Sequence, residues 1–141
     1  MKFKHIFLIL SLIFIGMQQK SYAVELVVNV ENPVESLSLD KVRYIFLMRA
    51  RNWENGEKIK VYVNDWESDI HSEFSREILK VIPHRINSAW ERKKYSGMGE
   101  IPKVVSEKEM VEILSKDRNA IGYVRELTDD MLIHLKKIKV E

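Results

Sequence analysis

The chain has 141 residues, 23 of them Lys or Arg and 21 Asp or Glu, and no cysteine. Disulfide staples and thiolate metal sites are thereby excluded. The near balance of charge gives no general nucleic-acid footprint.

The N-terminus has the three-part pattern of a secretory signal. Lys2, Lys4 and His5 form a basic start, Ile6 to Phe14 is apolar except for Ser11, and Ser21 and Ala23 place small residues where a signal peptidase reads. The apolar run is shorter than the roughly 20 residues a spanning helix needs. The expectation is a signal peptide over residues 1–23, cleaved after Ala23, with no stable membrane insertion afterwards. The remaining 24–141 suit one domain with one modest core. Loss of Lys2, Lys4 and Lys20 leaves 20 basic against 21 acidic residues, a charge of −1. With no cysteine for a lipid tether, a free periplasmic protein is the expected form.

Val24 to Val30 reads as a strand, closed by Asn32-Pro33. Ser38 is placed to cap a helix whose apolar positions are Leu39, Val42, Ile45 and Phe46. A polar turn follows over 52–58, with Trp53 and the Asn55-Gly56 pair. Ile59 to Val63 alternates like a strand. Ser68 caps a second helix with Ile70, Phe74, Ile78 and Leu79 on its apolar face. Pro83 opens a third helix that buries Ile86, Ala89 and Trp90, with Tyr95 a further candidate, and turns Arg92, Lys93 and Lys94 to water.

Ser96 to Gly99 reads as a flexible loop. Lys103 to Val105 reads as a short strand. Ser106 and Glu109 form a capping box before Met110, Ile113 and Leu114. Ala120 to Val124 is a buried strand, and a last strand is expected within 131–140. Strands alternating with helices predict an α/β fold, a central mixed sheet with helices on both faces.

Four segments, in order, resemble the phosphate-binding proteins of phosphate ABC transporters and their short single-domain relatives. They are Leu37 to Leu47 followed by Trp53 and Gly56; the strand Ile59 to Val63 leading to a Ser-capped helix with Phe74; Trp90 followed by Gly97, Gly99 and Pro102; and Asn119 to Val124. The resemblance implies one lobe of the type 2 periplasmic-binding fold. The chain is too short for the second lobe that closes over ligand in the full-length binders.

In those binders a Ser-Gly-Thr tripeptide opens the helix after the second strand, where free N–H groups and the helix dipole favour an anion. Aligned on Phe74, the tripeptide becomes Ser68-Asp69-Ile70, and no arginine precedes it. Asp65, Glu67 and Asp69 crowd the same turn with carboxylates, which disfavour an anion there. The candidate ligand residues are Ser68 and Asp69, joined by Ser38 and by Ser96, Gly97 and Gly99, with phosphate or another small anion as ligand. Ser68 with Asp69 equally makes an ordinary helix start.

Other chemistry is poorly supported. A calcium loop beginning at Asp65 would need Gly and Glu where Ile70 and Arg76 stand. His71, His84 and His134 lack zinc spacing and are expected to face solvent or cap helices. No serine elbow or Gly-rich phosphate loop occurs, so neither catalysis nor a cofactor is expected. Arg49, Arg51 and the run Arg92 to Lys94 are either solvated or a docking patch for an acidic partner. Trp66 is either an exposed hot spot or a lid on the helix end. The two functions left open are a binding-protein-like module handling a small anion for transport or sensing, and an envelope interaction or assembly protein that keeps the fold without solute.

Overall fold

The computed structural model describes residues 23–141, so the expected signal peptide, apart from Ala23, lies outside the described residues. Five strands form one mixed sheet in the order β4-β3-β5-β1-β6: β4 is Lys103–Val104, β3 Lys60–Val63, β5 Ala120–Val124, β1 Glu25–Asn29 and β6 Leu135–Lys137. β3 runs parallel to both β4 and β5, whereas β1 runs antiparallel to β5 and β6. A small parallel pair, β2 (Ser36–Leu37) with β7 (Lys139–Val140), lies apart from this sheet.

Strand side chains alternate between faces, and both faces are covered. On one face Leu26, Val28, Val61, Val63, Ile121 and Tyr123 meet α1 (Leu39–Phe46), α2 (Asp69–Glu73) and α3 (Pro83–Ser96). On the other, Val27, Tyr62, Ala120 and Val124 meet α4 (Glu107–Lys116) through Met110 and Leu114. Gly122 makes this second contact possible: a Cβ there would overlap Met110 Sδ and lie 3.3 Å from Leu114 Cδ1. The expected α/β layering, with helices on both faces of a mixed sheet, is what forms.

Local signals set the helix starts. Ser38 Oγ accepts from Lys41 N at 3.1 Å, Ser68 Oγ from His71 N at 3.3 Å, and Ser106 and Glu109 complete their capping box. Pro83 opens α3, and Gly97, at φ 64°, closes it in the left-handed conformation that glycine adopts without a Cβ penalty.

Several expectations need correction. α2 does not continue as an α-helix; Phe74–Ile78 is a π-helical segment, with Leu79 N–H donating to Phe74 O. Tyr95 is 85% exposed, because Gly97 ends α3 one turn beyond the core. Lys93 is half-buried and donates to Leu47 O at 2.7 Å, so it ties α3 to the end of α1. Residues 131–140 hold the end of a short helix α5 (Asp129–Leu132) and two strands, β6 and β7. Among the described residues, no helix is long and apolar enough to cross a membrane.

Candidate functional site

In an open α/β sheet, ligands bind outside the carboxyl ends of the parallel strands. Here β3 and β4 end together in a cleft of about 490 Å³. Asn64, Asp65, Ser68 and Ile70 form one wall, from the end of β3 into α2. Val104, Ser106, Glu107 and Glu109 form the other, from β4 into α4. Two helix starts therefore converge on one hollow, the arrangement that suits an anion.

The side chains work against that charge. Both starts are already capped by their own serines. Asp65 Oδ1 accepts from Glu67 N–H at 2.8 Å, and Ser68 Oγ donates to Asp65 O at 2.6 Å, so the turn is closed on itself. Asp65, Glu107 and Glu109 line the cleft, and Asp69 is exposed at the start of α2. Asn64 is 3% exposed; its Nδ2 donates to Val105 O, while its Oδ1, a buried acceptor, has no partner among the described residues.

Behind this wall lies a polar network that sequence reasoning missed. His71, expected to face solvent or cap a helix, is fully buried. The Asn64 backbone N–H donates to Tyr123 Oη at 2.8 Å, leaving the tyrosine hydrogen for His71 Nδ1, also at 2.8 Å. His71 Nε2 then carries the proton and donates to Asn87 Oδ1 at 3.1 Å, and Asn87 Nδ2 donates to Trp66 O at 3.3 Å. These partners hold the histidine neutral in one tautomer. Burial pushes its pKa below 6.5, against the opposing pull of Asn87 and Asp65. Burial likewise raises the Tyr123 hydroxyl far above its ordinary value, so it keeps its proton.

The ring of His71 lies 5.5 Å from Trp90, and Trp66 packs on Trp90 at 5.3 Å. Trp66 is thus the lid rather than an exposed anchor. His84 and His134 are exposed. An apolar helix face with a single histidine gave no sign of the network; its signal was the separate pairing with Tyr123, 52 residues away.

The remaining candidates do not join Ser68 and Asp69. Gly97 and Gly99 precede β4 and so enter its N-terminal end, opposite the cleft, because β3 and β4 are parallel. Ser96 Oγ donates to Lys93 O there. Ser38 is not among the residues that line the cleft, and the N–H of Leu39, next to it, donates to Glu141 O just after β7. Among the described residues, no three His, Asp or Glu side chains gather where they could hold a metal ion.

No protein-family model matches the chain, and no curated protein matches it either. Solved structures do. An ABC-type phosphate transport receptor from Vibrio cholerae superposes with a TM-score of 0.60 at 20% identity, over 84% of this chain and 46% of the receptor. A phosphate-bound putative phosphate ABC transporter substrate-binding protein from Clostridium perfringens gives 0.60 at 19% identity, over 84% and 44%. A possible phosphate binding protein from Planctomyces limnophilus gives 0.62 at 16% identity, over 84% and 41%. The chain spans less than half the length of each, and at these identities the likeness is one of fold: this α/β sheet with its helices matches one lobe of a periplasmic-binding-protein-like architecture.

Proposed function

We propose that this chain is an exported, periplasmic, non-catalytic module of the substrate-binding kind. It is a single domain over 24–141, and it handles a small oxyanion such as phosphate in the cleft between α2 and α4. The observation that carries this reading is the cleft's position. It lies at the carboxyl ends of β3 and β4, between two helix starts, in a fold shared with one lobe of phosphate transport receptors. Ser68 and Asp69 are the residues nearest the role. Asn64 Oδ1 and the carboxylates are acceptors, so an oxyanion must bring its own O–H. Hydrogen phosphate has one and sulfate at neutral pH has none.

A thermal-shift titration of residues 24–141 with phosphate, sulfate and organic phosphates tests this. A ligand of the folded state at one hundred times its Kd adds about 2.7 kcal/mol. Phosphate should raise the melting temperature at millimolar concentration and sulfate should not. No shift with any anion sinks the reading.

A second reading is an envelope interaction protein that keeps the fold without solute. The carboxylates at the cleft favour it, since Asp65, Glu107 and Glu109 repel an anion that only self-capped helix ends would hold. Copurified protein and an unmoved melting temperature would support it together.

A further inference from the structure

A positive feature lies at the other end of the sheet. A hollow of about 560 Å³ opens at the N-terminal ends of β3 and β4. Its floor is apolar, with Met48, Ile59, Val61 and Ile101, and its rim carries Lys58, Lys60, Lys94 and Lys103. Two basic stretches distant in sequence meet beside it. Arg51 Nη2 lies 3.7 Å from where a Cβ on Gly99 would stand. Lys93 feels Arg51 and Arg49, which add to burial in lowering its pKa. Glu100 offsets Lys58 at 2.9 Å and Asp117 offsets Lys60 at 2.6 Å. Among the described residues, Arg49, Arg51, Lys94 and Lys103 have no carboxylate within 4.0 Å.

The outer side of β3 is bordered at this end: Ile59 N–H donates to Arg51 O at 2.7 Å, Asn52 bridges Lys58, and β4 joins from Tyr62 onward. In an extended segment laid in the hollow side chains alternate: one set can reach the apolar floor while the other meets the lysine rim.

We propose that this hollow docks an extended segment of a partner protein in which acidic and apolar side chains alternate. Charge complementarity names the acidic set and the floor names the apolar one.

The test is fluorescence anisotropy on residues 24–141 with a short labelled peptide of alternating glutamate and leucine. An all-glutamate peptide of equal length and inorganic phosphate serve as competitors. The alternating peptide should bind, and K94E/K103E should weaken it by about tenfold, the scale of two reversed exposed charge contacts. K108E/K139E, exposed lysines away from the hollow, should leave binding unchanged. Ile101→Ser should weaken the alternating peptide and spare the all-glutamate one. Melting curves confirm that each variant is folded. Equal affinity for the all-glutamate peptide, displacement by millimolar phosphate, or loss of binding in K108E/K139E as large as in K94E/K103E would each overturn the proposal. So would sedimentation showing that the hollow is filled by a second copy.

Discussion

The two faces of the sheet are built differently. One is thick and aromatic: Phe74 stacks on Tyr123 at 3.9 Å, Phe46 packs on Phe74 at 4.7 Å, and Trp90 sends its Nε1–H to Phe46 O at 2.9 Å. The other is thin: one helix, α4, sits directly on a strand through the missing side chain of Gly122. Large rings fill space and specify neighbours, so the first face stores its stability in volume. The second stores it in closeness, so it is hurt by addition rather than removal.

The largest expected effect belongs to the thick face. Phe74→Ala removes a fully buried ring in contact with two others and should cost about 3–5 kcal/mol in denaturant unfolding. A loss under about 1 kcal/mol would show that the face collapses around the void and is not a fixed aromatic stack.

Gly122→Ala comes next, on the thin face, at about 1–3 kcal/mol from overpacking. A double-mutant cycle with Met110→Ala sharpens the point, since the overlap is with Met110 Sδ, near the end of that flexible side chain. The cost of Gly122→Ala should shrink once Met110 is shortened. Strict additivity would place the strain in the backbone instead.

The third effect is titration on the thick face. His71 has a folded pKa below 6.5, so the unfolded chain binds more protons as acid is added. Its contribution is complete above pH 6.5 and is lost as pH falls from there through the folded value, at up to about 1.4 kcal/mol per pH unit. Glu57 and Glu100, whose pKa values their partners Arg118 and Lys58 lower from 4.5, act in a separate and more acid window. Urea midpoints between pH 7.5 and 5 should therefore fall for the native chain and stay flatter for His71→Gln. Parallel profiles would remove His71 as the cause.

The smallest effect concerns the caps. Ser106→Ala should cost about 1 kcal/mol by removing the Oγ that accepts from Glu109 N–H, while the bond from its own backbone N–H to Glu109 Oε2 can persist. Ser68→Ala should cost at least as much, because Ser68 Oγ both accepts from His71 N–H at 3.3 Å and donates to Asp65 O at 2.6 Å. A smaller loss at Ser68 would mean that its bond to Asp65 adds nothing.

Much of this was legible beforehand because it is local. Ser38, Ser68, Ser106 and Pro83 announce helix starts through chemistry confined to one turn, and Ala120 to Val124 declares a buried strand by composition. What stayed hidden depends on distant partners. His71 looks polar until Tyr123 and Asn87 are folded against it, and the π-helical turn at Phe74 has no periodicity of its own. The candidate site was half visible for the same reason. Ser68 and Asp69 lie where the chain leaves β3, but the opposite wall, from Val104 to Glu109, is brought there by the crossover. The Ser96 to Gly99 stretch looked equivalent in sequence, and the shared direction of β3 and β4 sets it at the opposite end of the sheet.

The place of β1 has a kinetic consequence. Residues 25–29 pair on one side with residues 121–124 and on the other with residues 135–137. The earliest strand thus waits for the latest ones, and the middle of the sheet cannot close until almost the whole sequence is available. Such long-range pairing slows folding, since loop closure must precede its reward. A chain emerging from its ribosome would stay open throughout synthesis.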